Sequence, residues 1–163
     1  MHKAFIALGS NLNGPASQLI RALQSIAQLP KTQLIKKSSL YKTAPVGYNE
    51  QPDFINAVAE IATELTPETL LESLLKIEAE FGRERPFPNS PRILDLDLLL
   101  YDDLVLQTEN LTLPHPRMHL RGFVLLPLAE IAPEINIPQH GNVVKLAEIH
   151  KSKDIKKLKN SEF

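Results

Sequence analysis

A short apolar segment near the middle of the chain, residues 93–101, constrains the fold most strongly. It reads Ile-Leu-Asp-Leu-Asp-Leu-Leu-Leu-Tyr, so Asp95 and Asp97 alternate with leucines. This period of two predicts a β-strand, whose successive side chains point to opposite faces of a sheet. One face would therefore display two carboxylates side by side. The opposite face would carry leucines that belong in the core: Leu94, Leu96, Leu98 and Leu100.

The segments on the N-terminal side of this strand complete an ordered set of elements. Apolar runs predict further strands at residues 3–9, 32–42 and 54–63. Helical spacing predicts one helix from Pro15 to about residue 28, and another that Thr66 caps and Gly82 ends. The order βαββαβ is that of ferredoxin-like domains, which predicts an α+β sandwich with an antiparallel sheet and helices on one face.

The remaining residues are expected to form a C-terminal extension of the same domain. It would contain a helix near residues 122–131, beginning or bending near Pro127, and a polar tail from about residue 151. A length of 163 residues suits a single domain spanning 1–163.

Composition excludes several classes of protein. A net charge of −1 argues against a protein that coats nucleic acid. The absence of cysteine excludes disulfides, zinc–thiolate sites and a cysteine nucleophile. The apolar run of residues 4–8 is too short for a signal-peptide core, and no stretch approaches a membrane span. We expect a cytoplasmic monomer that binds neither nucleic acid nor a membrane.

The paired aspartates indicate a metal site. Asp95 and Asp97 would repel each other on one strand face, and a divalent cation removes that repulsion. Magnesium favours such hard oxygen ligands and completes its coordination with phosphate oxygens. The alternative is a half-exposed strand whose acids face water.

Arginines concentrate near the aspartates. Five of the six lie in one stretch: Arg83, Arg85, Arg92, Arg117 and Arg121. The planar guanidinium pairs bidentately with phosphate, so the cluster favours phosphate binding, although any single arginine could be ordinary surface charge.

His115 lies between two prolines, which fix its position. It could donate to a phosphate, act as an acid or base, or simply serve the turn. The other histidines of this half are expected at the surface: His119, His140 and His150.

Asn56 would be an amide on an otherwise apolar strand face, where it needs hydrogen-bonding partners. It could bond backbone or read the edge of a heterocycle. Tyr48, Phe54 and Phe123 could stack on a flat ring or pack in the core.

Residues 9–14 have the glycine spacing of a phosphate-binding P-loop. Pro15-Ala16 follows instead of the required lysine and hydroxyl residue, so this motif is excluded. ATP, if bound, would use another site.

Five segments of the chain resemble the 6-hydroxymethyl-7,8-dihydropterin pyrophosphokinase family, and they follow one another in the family's order over about residues 4–140. The run Pro91-Arg92-Ile93-Leu94-Asp95-Leu96-Asp97 is the most specific of them. The others are Gly9–Leu12, Tyr41–Asn56, Ile77–Arg83 and Pro114–Phe123.

The resemblance implies a ferredoxin-like enzyme that binds ATP with two Mg²⁺ ions. The pterin hydroxyl would attack the β-phosphorus and yield AMP and the pterin diphosphate, a step of folate biosynthesis. Asp95 and Asp97 would bridge both metals, and Arg83 and Arg92 would hold ATP phosphates, Arg83 from a mobile catalytic loop.

The resemblance also implies two sets of binding residues. ATP would contact Leu71, Glu78, Arg83, Arg85, Arg92, Leu98, Thr112, His115 and Arg121. The pterin would contact Thr43, Ala44, Pro45, Val46, Phe54, Asn56 and Phe123, with Phe54 and Phe123 on either side of the ring. The chain departs from the family pattern at Asn89-Ser90, where many members have tryptophan, and at Asn110 and Pro116.

Two other functions are compatible with parts of the pattern. The Asp pair alone would permit another magnesium-dependent phosphotransferase or nucleotidyltransferase. A ferredoxin-like sheet could also bind RNA without catalysis, but that class favours aromatic side chains and a basic surface on the sheet.

Overall fold

The computed structural model describes residues 1–44, 51–82 and 93–158. Its strands are β1 (His2–Ser10), β2 (Thr32–Lys37), β3 (Tyr41–Thr43), β4 (Phe54–Thr63), β5 (Asp95–Tyr101), β6 (Leu106–Gln107), β7 (Thr112–Leu113), β8 (Asn136–Ile137), β9 (Gly141–Asn142) and β10 (Ile155–Lys157). Its α-helices are α1 (Pro15–Ala27), α2 (Pro67–Glu80), α3 (Gly122–Ile131) and α4 (Val143–His150), and Met118–Leu120 forms a 3₁₀ turn. The fold is mixed α and β around an antiparallel sheet.

The main sheet has six strands, ordered β10-β3-β4-β1-β5, and β2 pairs with β4 beside β3. The predicted strand over residues 32–42 is therefore two strands that share β4 as partner. They separate at Ser38, whose N–H donates to the carbonyl oxygen of Val58 at 2.9 Å. The Ser38 hydroxyl in turn accepts from the Val58 N–H at 2.9 Å, so a side chain maintains hydrogen bonding where the strand breaks.

Helices α1 and α2 begin and end close to the residues that the sequence predicted. Proline occupies the first turn of both α1 and α2, where the missing N–H costs nothing. The Thr66 hydroxyl accepts the Thr69 N–H and caps α2. Gly82 follows α2 with φ of 76°, the left-handed conformation that glycine adopts most readily.

Both faces of the sheet are covered, which corrects the expectation of helices on one face only. Helices α1 and α2 pack on the face that carries Ile6, Leu8 and Ile61. Helix α3 packs on the opposite face, with Phe5 and Val58 of the central strands, and α4 packs against α3. The second layer comes from the C-terminal extension.

A β-bulge in β5 corrects the predicted side-chain alternation. The register with β1 shifts so that Phe5 pairs with Leu100 and Ile6 with Leu98. The unpaired Leu99 reverses the alternation beyond it. Leu94, Leu96 and Leu98 lie in the α1–α2 core as predicted, whereas Leu100 lies on the opposite face with α3.

The C-terminal extension contains the predicted helix, α3 (Gly122–Ile131), but it differs from its prediction in other details. Helix α3 begins at Gly122 and continues through Pro127, so Pro127 does not start it. The tail predicted from about residue 151 contains strand β10, which pairs with β3. Among the described residues, no helix is long and apolar enough to cross a membrane.

Candidate active site

One cavity of about 1040 Å³ opens on the α3 face of the sheet, beside the start of α3. Every predicted site residue that the structure describes lines it: Thr43, Ala44, Phe54, Asn56, Leu71, Glu78, Asp95, Asp97, Leu98, Thr112, His115, Arg121 and Phe123. The other predicted site residues lie outside the described ranges, as does Tyr48: Pro45, Val46, Arg83, Arg85 and Arg92. Tertiary structure thus brings together residues that are up to 80 positions apart, from Thr43 to Phe123.

The two aspartates lie at the floor of the cavity on β5. Asp95 pairs across the sheet with Gly9, and Asp97 pairs with Ala7. These small partners leave space above β1, so the carboxylates have room for a ligand beside them. The Asp97 side chain is 37% exposed. In the described part of the chain no three acids or histidines are grouped for a metal, so a cation here would complete its shell with phosphate or water oxygens. The donor set fits magnesium.

Glu78 supports the strand segment that carries the aspartates. Its side chain is only 2% exposed, and its Oε2 accepts the backbone N–H of Leu96 at 2.7 Å. Leu96 lies between Asp95 and Asp97 on β5, which is an edge strand of the main sheet as far as the described residues show. The carboxylate therefore satisfies a buried donor and holds the β5 backbone between the two acids.

We expect Glu78→Ala to lower the free energy of unfolding by about 1–3 kcal/mol, because the Leu96 N–H would stay buried without an acceptor. Glu78→Gln retains an acceptor oxygen and should recover most of that loss. The exposed Glu72 on the same helix provides the matched control, Glu72→Ala. Urea denaturation measures all three. Equal stability of the Glu78→Ala variant and the wild type would contradict this role.

His115 lies beside the aspartates, and its backbone N–H donates to the carbonyl oxygen of Leu99 in β5 at 2.9 Å. Its Nε2 lies 4.0 Å from Oδ1 of Asp97, and its Nδ1 accepts the Arg117 N–H at 3.2 Å. Burial, together with the charges of Arg121 and Arg117, lowers the pKa of His115 to about 4, against an opposing influence of Asp95. The ring is therefore neutral near pH 7, with its remaining proton on Nε2. This geometry makes it a hydrogen-bond donor toward the acidic floor.

The other end of the cavity combines an oriented amide with aromatic rings. Asn56 is 7% exposed, and its Nδ2 donates to the Thr43 hydroxyl at 2.9 Å. A Cβ at Gly9 would lie 3.0 Å from Oδ1 of Asn56, so glycine leaves the space that the amide occupies. Phe54 pairs with Thr43 across β3 and β4, and Phe123 lies in the first turn of α3. Such an end suits a flat heterocycle with polar edges.

The segment rejected as a P-loop has a different role in the structure. Asn11 is 1% exposed, and its Nδ2 donates to Oε1 of Gln51 at 2.7 Å and to the carbonyl oxygen of Pro52 at 3.1 Å. It thus fastens the residues before β4 to the end of β1. Sequence reasoning included these residues in the family resemblance but did not predict the contact.

Sequence reasoning missed one wall of the cavity, which Ser152, Asp154 and Ile155 form in the predicted tail. No apolar periodicity marks this segment. Sequence reasoning also placed His119, His140 and His150 at the surface and did not predict that the first two contact each other. Their rings are partly buried and stack with centroids 3.6 Å apart and planes 6° apart.

Known structures share this fold. Crystal structures of Plasmodium falciparum HPPK-DHPS superpose with TM-scores of 0.74 and 0.76 at 14% sequence identity, and they cover 96% of this chain. The chain spans about half the length of those proteins, 47% and 48%.

Sequence relatives cover almost the whole chain. A Haemophilus influenzae 2-amino-4-hydroxy-6-hydroxymethyldihydropteridine pyrophosphokinase is 49% identical over 148 residues, which is 91% of this chain and 92% of the relative. The enzyme of that name from Bacillus subtilis is 46% identical over 132 residues, 81% and 79% of the two chains. A family model matches residues 5–133, which include the aspartate floor, His115 and both ends of the cavity up to Phe123. With that match, the chain belongs to the 7,8-dihydro-6-hydroxymethylpterin-pyrophosphokinase (HPPK) family.

Proposed function

We propose that this protein transfers the pyrophosphate group of ATP to the hydroxymethyl group of 6-hydroxymethyl-7,8-dihydropterin. The products are AMP and the pterin diphosphate, and the reaction is a step of folate biosynthesis. The observation that carries the proposal is the cavity itself, which joins an acidic floor to an amide-and-aromatic pocket. Family membership supports the same reaction.

The proposed metal is Mg²⁺, as two ions held by Asp95 and Asp97 together with ATP phosphates. Two carboxylates and phosphate oxygens make a hard oxygen set of the kind magnesium favours. Bound magnesium would neutralise the charge that develops on the transferring phosphates.

The proposed fold is ferredoxin-like. The element order β1, α1, β2/β3, β4, α2, β5 supports it, and so does an antiparallel sheet with β1 between β4 and β5.

Positioning would account for most of the catalysis. In-line transfer requires the attacking oxygen, the β-phosphorus and the leaving AMP oxygen to be aligned, with little covalent chemistry by the protein. Asn56 and Thr43 would hold the heterocycle, with Phe54 and Phe123 against its faces. The pterin hydroxyl oxygen would form a bond to the β-phosphorus as the bond between that phosphorus and the AMP oxygen breaks, and the hydroxyl proton would pass to solvent.

The ATP side would be held by groups on the opposite wall. His115 would donate its Nε2 proton to a phosphate oxygen, consistent with its neutral state. Arg121 would pair with the phosphates; its Cζ lies 5.7 Å from the centroid of the Phe123 ring, at the junction of the two ends. We assign Leu71, Leu98 and Thr112 to the nucleotide, and Arg83, Arg85 and Arg92 to its phosphates.

Incubation of the protein with ATP, magnesium and the pterin alcohol tests the function directly. AMP that forms only when the pterin is present supports pyrophosphate transfer. ADP would instead indicate an ordinary kinase, and binding of ATP without any product would refute this acceptor. The RNA-binding alternative is not favoured, because helices cover both faces of the sheet and the strand surface that lines the cavity carries Asp95 and Asp97, which repel a phosphate backbone.

A monomeric state and a cytoplasmic location are further parts of the proposal. The location is consistent with the sequence, which lacks cysteine and long apolar segments. Light scattering on the purified protein measures its molecular mass, and the mass of a dimer would contradict the proposed monomeric state.

We expect Arg83→Ala to lower kcat more than it weakens ATP binding. The proposed role of this arginine is to hold charge that develops in the transition state, and loss of such a contact reduces kcat. Loss of one preorganised charged donor should cost about a hundredfold. Steady-state kinetics with an independent ATP titration measures both quantities. Lys145→Ala, which removes an exposed cation of α4 outside the cavity, is the control, and a loss confined to ATP affinity would contradict the assignment.

A further inference from the structure

The C-terminal tail is fastened to the sheet beside the acceptor end of the cavity. Ile155 pairs with Thr43, and the ladder continues through Lys157 opposite Tyr41. Beyond the strand, the Leu158 N–H donates to the carbonyl oxygen of Leu40 at 2.8 Å. The Leu158 side chain packs against the α1–α2 core. Backbone pairing and core contact together hold this segment in a defined position.

The same segment crosses the start of α3 at van der Waals distance. A Cβ at Gly122 would overlap the carbonyl oxygen of His150 and lie 2.7 Å from Cδ1 of Ile155. Only glycine leaves room for this crossing. Gly122 directly precedes Phe123, so Ile155 touches the base of the aromatic wall on one side and pairs with Thr43 on the other.

Ile155 therefore lies between the two walls of the acceptor end. Thr43 belongs to β3 and Phe123 to α3, and Ser152, Asp154 and Ile155 line the cavity together with both. A flat ring binds tightly between two walls that already have the right spacing, because no free energy is then spent on ordering the walls when the ring binds. A segment that contacts both walls sets that spacing.

We propose that the C-terminal segment 152–155 is a wall of the pterin pocket and that Ile155 is a positioning residue that fixes the distance between Thr43 and Phe123. This inference rests on the proposed function and concerns residues beyond the end of the family-model match at residue 133. The predicted consequence is selective: changes in this segment should alter binding of the pterin and leave binding of ATP unaffected.

Steady-state kinetics of a graded series tests the proposal. Ile155→Val removes only the Cδ1 atom that reaches Gly122, and Ile155→Ala removes the rest of the contact. We expect the KM for the pterin to rise about threefold and about tenfold respectively, with kcat and the KM for ATP within twofold of wild type. Lys156→Ala is the matched control, because this exposed neighbour alternates to the other face of β10.

Thermal unfolding of each variant separates positioning from folding. If Ile155→Ala is unfolded, the milder Ile155→Val decides, since strand propensity is retained. A pterin KM unchanged in the folded variants, or equal increases for pterin and ATP, would overturn the inference while an active wild type upholds the function. A wild type that makes no AMP would refute the proposed function and this inference with it.

Discussion

Replacing Asp97 with alanine is expected to abolish pyrophosphate transfer and leave the fold intact. Asp97 supplies half of the acidic floor of the cavity, and the proposed magnesium ions have no substitute for it among the described residues. Loss of several kcal/mol of charge stabilisation corresponds to a fall in kcat of about a thousandfold or more. Stability should stay level or rise, because the change removes the repulsion between neighbouring carboxylates.

The measurement is AMP production at saturating ATP and magnesium, with thermal unfolding of the same preparation. Asp103→Ala provides the matched control, because Asp103 follows the same strand, is exposed and lies outside the cavity. Its kcat should equal that of wild type. An Asp97→Ala variant that retains near-normal turnover would refute the metal assignment.

Replacing Asn56 with alanine is expected to weaken equilibrium binding of the pterin about a hundredfold. Its amide is buried and oriented by Thr43, so it can meet the polar edge of a ring without reorganisation. Without the amide, ring donors and acceptors would be buried without partners, and each such loss costs about 1–3 kcal/mol. The affinity for ATP should not change, because Asn56 lies at the acceptor end.

Two titrations measure this effect: equilibrium binding of the pterin and separate binding of ATP with magnesium. Asn136→Ala replaces an exposed asparagine of β8 outside the cavity and serves as the control. Parallel losses of pterin and ATP binding would indicate general damage to the cavity and contradict a specific contact. Together with the Asp97 variant, this result would assign the two ends of the cavity to different substrates.

Local sequence patterns predicted most elements of the N-terminal two thirds of the chain. Strand β1, strand β4 and helices α1 and α2 begin and end within about two residues of their predicted bounds, because alternation, proline placement and caps are local signals. The same period of two placed Asp95 and Asp97 on one face of β5. The identities of the binding residues came from the family resemblance, since residue patterns alone left several roles open for His115 and Asn56.

The tertiary structure decided what depends on distant partners. The bulge at Leu99 exists only in the pairing of β5 with β1, and it moves Leu100 to the face opposite the predicted one. Strand β10 has three residues, two of them lysine, so its pairing with β3 has no periodic signal in the sequence. The sequence by itself thus determined most elements of the N-terminal two thirds, helix α3 and the acidic pair, whose signals are local. The placement of α3 as a second helical layer and the C-terminal wall of the cavity were decided by long-range packing, because no local pattern encodes the contacts that hold them.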